Sequence, residues 1–279
     1  MEITRRIEIE LKESLKESCN LIYDFANNHC KNGDGDDNCV WYHSIWQYYR
    51  MLNVVASPTW HNEFYITQFS KAFNKDNCNI LISGTADYAI LAYVLDIMKQ
   101  NKVKLNIYVL DMCETPLFAC KWYANKENVN IKCINEDILN YNNNEFFDVI
   151  CTDAFLTRFN DNDSNLVIDK WYKLLKKEGK IITTVRIHNA DTKNKPNAIE
   201  KYIQKIEKEY NKYEKYIGIS YDKLMEKTEE WLNKKKSNNI GNKEKILNKF
   251  KKFDVEYNVR KVSGELSETE YIELVATKN

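Results

Sequence analysis

The sequence predicts an α/β protein built on a mostly parallel sheet, and three observations carry that expectation. From Asn79 onward, short apolar runs alternate with helix-like stretches, the pattern of right-handed strand–helix–strand units. The last two runs sit close together, as an antiparallel pair closing such a sheet would. The 279 residues suit one large α/β domain with helical additions.

The elements follow in order. Leu11, Leu15, Cys19, Ile22, Phe25 and His29 recur at three- and four-residue steps, which predicts an amphipathic helix. The run Asn32-Gly33-Asp34-Gly35-Asp36-Asp37-Asn38 then reads as a turn; it lacks the ligand spacing and closing Glu of a calcium loop. Val40–Val55 and Trp60–Phe73 are further helices, divided by Ser57-Pro58. Strands are expected at Asn79–Ser83, Leu105–Leu110, Val129–Ile134, Phe147–Thr152 and Lys180–Ile187. Helices are expected over Tyr88–Lys99, from Thr115-Pro116 with a capping hydroxyl, and over Asp163–Lys177 with Gly179 as its stop. Phe253–Val262 and Glu270–Thr277 form the trailing pair around Ser263-Gly264-Glu265. The block 191–252 carries 17 Lys against 10 acidic side chains and a seam of Ile199, Ile203, Ile206, Tyr210, Tyr213 and Ile217. It reads as a solvated helical hairpin packed on the core, or as a surface on which a partner or second copy docks.

Composition removes several classes of function. Lys plus Arg and Asp plus Glu both number 41, so zero net charge argues against a protein whose main work is gripping nucleic acid. No run of about 18 apolar residues exists to span a membrane, and no signal-like segment follows Met1. A cytoplasmic setting, with eight reduced and mostly buried cysteines, is the expectation. The His, Cys and acids do not fall at metal-ligand spacings, so no metal site is expected.

In an open parallel sheet, ligands bind beyond the carboxyl ends of the strands. Those positions hold Ser83-Gly84-Thr85-Ala86-Asp87-Tyr88, then Asp111-Met112, then Asp137-Ile138, then Asp153-Ala154-Phe155. A glycine in the first turn allows close approach of backbone to ligand, and an acid ending the second strand can accept both ribose hydroxyls. With this ordered set, residues 78–187 resemble a class I S-adenosylmethionine-dependent methyltransferase domain. The resemblance implies a Rossmann-like fold with a mostly parallel seven-stranded sheet, an N-terminal helical lid (1–75), and a cofactor-binding domain (76–279) with a helical insertion at about 191–252. It implies S-adenosylmethionine as cofactor, held by Gly84, Thr85, Ala86, Asp111, Met112, Asp137, Ile138 and Asp153. The chain departs from the family at Ile82, where an acid is usual, and at Ala86 and Tyr88, where glycines are usual.

Trp41, Tyr42, Trp46, Tyr48, Tyr49, Trp60, Phe64, Tyr65 and Phe69 crowd the helices before the first strand. A lid of aromatics would attract a sulfonium cation and exclude water. Tyr49, Arg50, Trp60 and Phe155 are the candidate substrate and lid residues, with Arg50 as a carboxylate clamp. His61, Tyr48 and Asp153 are the candidate catalytic residues; His61 is the first choice of base and His188 the second. The function expected is methyl transfer to a small-molecule acceptor. Two alternatives stand beside it: use of the cofactor's aminopropyl arm with release of methylthioadenosine, and a non-catalytic binding protein that keeps the fold.

Overall fold

The computed structural model describes the chain except Met1 and residues 31–37, 188–197, 236–237 and 264–267, and no side chains of 2–10, 198, 263 or 268. Seven strands form one sheet in the order β3-β2-β1-β4-β5-β7-β6. They are β1 Cys78–Ser83, β2 Leu105–Asp111, β3 Lys132–Asn135, β4 Phe147–Asp153, β5 Leu175–Arg186, β6 Phe253–Ser263 and β7 Glu268–Lys278. The first five run parallel, while β7 lies antiparallel to both β5 and β6. The central strands are apolar on both faces, as a sheet covered by helices on both sides requires. The strand order reverses between β1 and β4, and that switch point opens a crevice at their carboxyl ends.

Three expected boundaries move, each for a local reason. The third strand begins at Lys132 rather than Val129, because the Val129 amide donates to Ala124 O at 2.9 Å and stays with the end of helix α5 (Glu114–Lys126). Thr115 does not cap that helix. Cys113 occupies the cap position, and the Thr115 hydroxyl meets Cys30 Sγ at 3.0 Å. Helix α6 (Asp161–Leu174) stops before Gly179, with the chain already extended at Leu175. Glu178 and Gly179 instead turn within β5. A Cβ on Gly179 would lie 2.9 Å from Lys176 O, so the turn needs glycine.

The helices before the sheet are α1 Glu2–His29, α2 Val40–Met51 and α3 Asn62–Ala72, the last preceded by a 3-10 turn over Pro58–His61. Leu11, Leu15, Cys19 and Ile22 of α1 are buried as expected, but the stripe continues through Ala26 and Cys30; Phe25 is half-buried and His29 exposed. Helix α4 spans Ala89–Asn101. The insertion is three helices rather than a hairpin: α7 Ala198–Tyr213, α8 Tyr221–Lys234 and α9 Lys243–Lys249. Its buried seam is Tyr202, Ile206 and Tyr210, one α-helical stripe, while Ile199 is exposed. The expected turns at 32–37 and around Gly264, and His188, lie outside the described residues.

The N-terminal layer and the insertion are stitched together by polar groups around the buried Tyr48 and Tyr49. Asn20 Oδ1 accepts from the Tyr48 hydroxyl and the Gly218 amide, both at 2.7 Å, and the Tyr49 hydroxyl donates to Thr228 Oγ1 at 2.9 Å. Tyr202 and Trp231 stack at 5.6 Å beside the edge of Tyr49. Removing one acceptor strands a buried donor at a cost of about 1–3 kcal/mol. Asn20→Ala should therefore lower the urea midpoint by the equivalent of about 1–3 kcal/mol, with an unchanged denaturant slope.

Candidate functional site

The crevice at the switch point is built from four strand ends. The first turn leaves β1 at Ser83, where Trp171 Nε1 donates to the Ser83 hydroxyl at 2.9 Å and fixes the strand end against α6. Gly84 follows with φ +71, and its amide donates to Leu110 O at 2.8 Å. An added Cβ there would fall 2.2 Å from the Phe155 ring, so glycine is required for conformation and for space. The Thr152 hydroxyl donates to Gly84 O at 3.1 Å, locking the first turn to β4.

Asp111 closes β2. Its two oxygens accept from the amides of Thr85 at 3.1 Å and Cys113 at 2.8 Å, which ties the first turn to the second. Burial raises its pKa to about 6, against these hydrogen bonds and the nearby His43, which favour the carboxylate. Met112 beside it is 57% exposed, an apolar side chain left at the mouth. After β3, Asp137 Oδ1 accepts from the Leu139 amide at 2.9 Å while Ile138 is buried below. At the end of β4, Asp153 Oδ1 accepts from the Tyr65 hydroxyl at 2.7 Å and from Thr184 Oγ1 at 2.6 Å.

Helix α2 forms one wall. Tyr42, Trp46 and Arg50 sit at i, i+4 and i+8, so they share a stripe. Asp87 Oδ2 accepts from Arg50 Nη1 at 2.6 Å and from Trp46 Nε1 at 3.0 Å, while Asp87 Oδ1 takes the Ala89 amide at 2.7 Å. Tyr42 stacks on Trp46 at 5.0 Å and lies under the Arg158 guanidinium at 5.0 Å, so it reaches from α2 to the turn after β4. Its hydroxyl is pushed up to about 12, first by burial, against Arg158, and further by the charges of Asp87, Asp111 and Asp153. One phenol thus lies within the field of acids from three strand ends.

Several candidate residues sit elsewhere than their lid or catalytic reading required. Tyr48 is buried against α1 and bonded to Asn20, and burial holds its hydroxyl far above its ordinary pKa; it turns away from the crevice. Tyr49 faces α8. Arg50 is buried and committed to Asp87, so it is neither a free clamp nor a surface ion pair. Tyr88, in a usual glycine slot, stacks on Tyr123 at 4.7 Å and bonds Ser18 at 3.0 Å inside the helical layer. Phe155 does line the first turn, and Thr85, Ala86 and Trp60 are half-buried. His61 is 2% exposed, with Nδ1 2.9 Å from Glu273 Oε1 and its ring edge-on to Tyr271. Tyr42 and Arg158 were not among the candidates, although the spacing of Tyr42 with Trp46 and Arg50 carried the signal.

One cluster was not anticipated by the spacing along the chain: Cys30, Cys39, His43 and Cys113 bring ligand atoms within 4.8 Å of one another beside Asp111. The spacing along the chain hid this, because the last ligand comes from a different element.

Comparison with known proteins places the fold. No family model and no curated protein matches this sequence. Among solved structures, the chain is similar to TehB from Haemophilus influenzae (TM-score 0.50, 14% identity, 84% of this chain and 66% of that one). It is similar to magnesium protoporphyrin IX methyltransferase (ChlM) from Synechocystis PCC 6803, solved with bound SAH (TM-score 0.50, 10% identity, 88% and 90%). The PH0226 protein from Pyrococcus horikoshii OT3 is a further match (TM-score 0.50, 14% identity, 84% and 99%). The chain spans about two thirds of the TehB chain. Strand order and these likenesses together show the class I methyltransferase fold. Among the described residues, no helix is long and apolar enough to cross a membrane.

Two outcomes follow from these buried polar pairs. Arg50→Ala leaves Asp87 uncompensated in the core and should cost about 3–5 kcal/mol in denaturant unfolding. Glu273 titrates below its ordinary value of 4.5: burial opposes this, but the hydrogen bonds from His61 and Asn258 and the nearby Arg260 charge outweigh it. Its contribution is present above the unfolded pKa and lost as pH falls through the folded one. The melting temperature of Glu273→Gln should therefore fall less steeply than wild type on acidification below 4.5.

Proposed function

We propose that this chain is an S-adenosylmethionine-dependent methyltransferase acting on a small-molecule acceptor. The observation that carries the reading is the Asp111 carboxylate, held at the end of β2 by the Thr85 and Cys113 amides beside the glycine turn. This is the strand end at which nucleotide-binding folds place a ribose acid. In this reading Asp111 keeps lone pairs for the ribose hydroxyls, Met112 and Ile138 flank the adenine, and Asp137 lies at its edge. The fit is looser at the methionine end: Ile82 is buried in the core and the Phe155 ring covers Gly84. That end would rest on the wall of Tyr42, Trp46 and Asp153 instead.

When bound, the cofactor supplies an electrophilic methyl group on a cationic sulfur, and the aromatic wall is suited to a cation. Tyr42 and Trp46, bridged to Arg158, narrow the crevice, which favours a small acceptor over a polymer. His61 is the proposed base. With Nδ1–H donating a hydrogen bond to the Glu273 carboxylate, Nε2 carries the lone pair that would take the acceptor's proton. Glu273 fixes that tautomer, as a carboxylate does in a nucleophile–base–orienter relay.

Calorimetric titration with S-adenosylmethionine tests binding, and product analysis tests the reaction. Binding by wild type, weakened by about 1–3 kcal/mol in Asp111→Ala, is the expected result. Release of S-adenosylhomocysteine on turnover would support methyl transfer, whereas methylthioadenosine would overturn it in favour of attack at the aminopropyl arm. No binding at millimolar ligand would leave only a scaffold role.

A further inference from the structure

The cluster of Cys30, Cys39, His43 and Cys113 lies outside the set that the reaction uses. Its four ligand atoms all lie within 4.8 Å of one another. Cys30 Sγ lies 3.6 Å from Cys113 Sγ, and Cys39 Sγ 3.5 Å from Cys113 Sγ. His43 Nδ1 lies 3.5 Å from Cys30 Sγ and 3.3 Å from Cys113 Sγ. A tetrahedral ion with Zn–S about 2.3 Å and Zn–N about 2.0–2.1 Å sets edges of about 3.8 Å for S···S and about 3.6 Å for S···N. The observed edges lie within a few tenths of an ångström of these.

The surroundings agree. Cys30, His43 and Cys113 are buried and Cys39 is half-buried. Cys39 is the cap residue of α2 and Cys113 that of α5, yet neither sulfur accepts a capping hydrogen bond from its own helix. Both sit at positive helix ends, which favour thiolates. The Thr115 hydroxyl, 1% exposed, lies 3.0 Å from Cys30 Sγ, placed to donate to a thiolate ligand. Three sulfurs packed this closely cannot all ionise without a cation between them, and an odd number cannot be consumed by one disulfide.

We propose that these four residues form a structural zinc site. Three thiolates and a neutral imidazole suit Zn²⁺, and four protein ligands leave no open position for catalysis. Loading is balanced as one Zn²⁺ taken up and three thiol protons released, giving a site of net charge −1. Cys30 lies just past the end of α1, Cys39 and His43 at the start of α2, and Cys113 two residues past Asp111. The ion thus pins the wall helix to the turn that shapes Asp111. This does not depend on which reaction the crevice performs.

The test uses full-length protein purified without chelator. Elemental analysis should find about one zinc per chain. A thiol-modifying mercurial should release it, and the Cys30→Ser and Cys113→Ser variants should lose it, while Cys78→Ser keeps it. Thr115→Val should retain the fold and weaken zinc affinity by about ten- to a hundredfold. Because a ligand variant can fail to fold, Co²⁺ titration of reduced, metal-stripped wild type is the second measurement. A sulfur-to-cobalt charge-transfer band with tetrahedral visible bands is expected, with proton release. Three results would overturn the proposal: no Zn²⁺ or Co²⁺ uptake by reduced wild type, zinc retained in a folded Cys30→Ser/Cys113→Ser double variant, or a disulfide among these cysteines in freshly isolated protein.

Discussion

The Asp87 carboxylate is the constraint around which the crevice is organised. It is 3% exposed, and it is made tolerable there by Arg50, the Trp46 indole and the Ala89 amide together. These partners serve two requirements. Ala89 begins α4, so the acid takes one of the otherwise unpaired first-turn amides of the helix that follows the first turn. Arg50 and Trp46 bring the wall helix α2 against that same turn. Once both are fixed, Tyr42 on their stripe has one place to go, over the mouth and under Arg158. A short loop with one glycine is thereby held by side chains where richer loops are held by backbone.

Much of the sheet was legible in the sequence because strand ends carry two signals at once. An apolar run gives the strand, and the acid or glycine that stops it gives the end, as at Gly84, Asp111 and Asp153. Boundaries failed where a helix and a strand competed for the same backbone: the end of α5 holds Val129, whereas β5 takes the chain from Leu175, before Gly179 is reached. Helix faces were harder to read. Tyr48 and Tyr49 are adjacent, yet one meets Asn20 of α1 and the other Thr228 of the insertion, so neighbouring residues on α2 face different layers of the molecule. The aromatic surplus before β1 is accordingly divided: Tyr42 and Trp46 reach the crevice, and Tyr48, Tyr49 and Phe69 are core. The cysteine cluster was hidden for a related reason. Its members are brought together by the α1–α2 corner and the turn after β2, and no local spacing records that meeting.

The same division explains why the glycine slots could be lost. Ala86 is half-buried at the turn, and Tyr88 turns its ring into the helical layer against Tyr123, where the side chain adds packing instead of blocking the mouth. Of these three slots, only Gly84 combines a left-handed backbone with a ring filling the space of a Cβ, and only that slot demands glycine.

The stitching of α1 and α2 to the insertion has a consequence for synthesis. Leu11, Leu15, Cys19, Tyr48 and Tyr49 belong to the same buried cluster as Tyr202, Ile206, Leu224 and Trp231. The ribosome makes the first set before β1 and the second only after β5. For most of translation, a nascent chain carries an apolar helical face whose cover does not yet exist, a state open to mispairing and to chaperone capture. The N-terminal layer is first in the sequence and among the last to be completed.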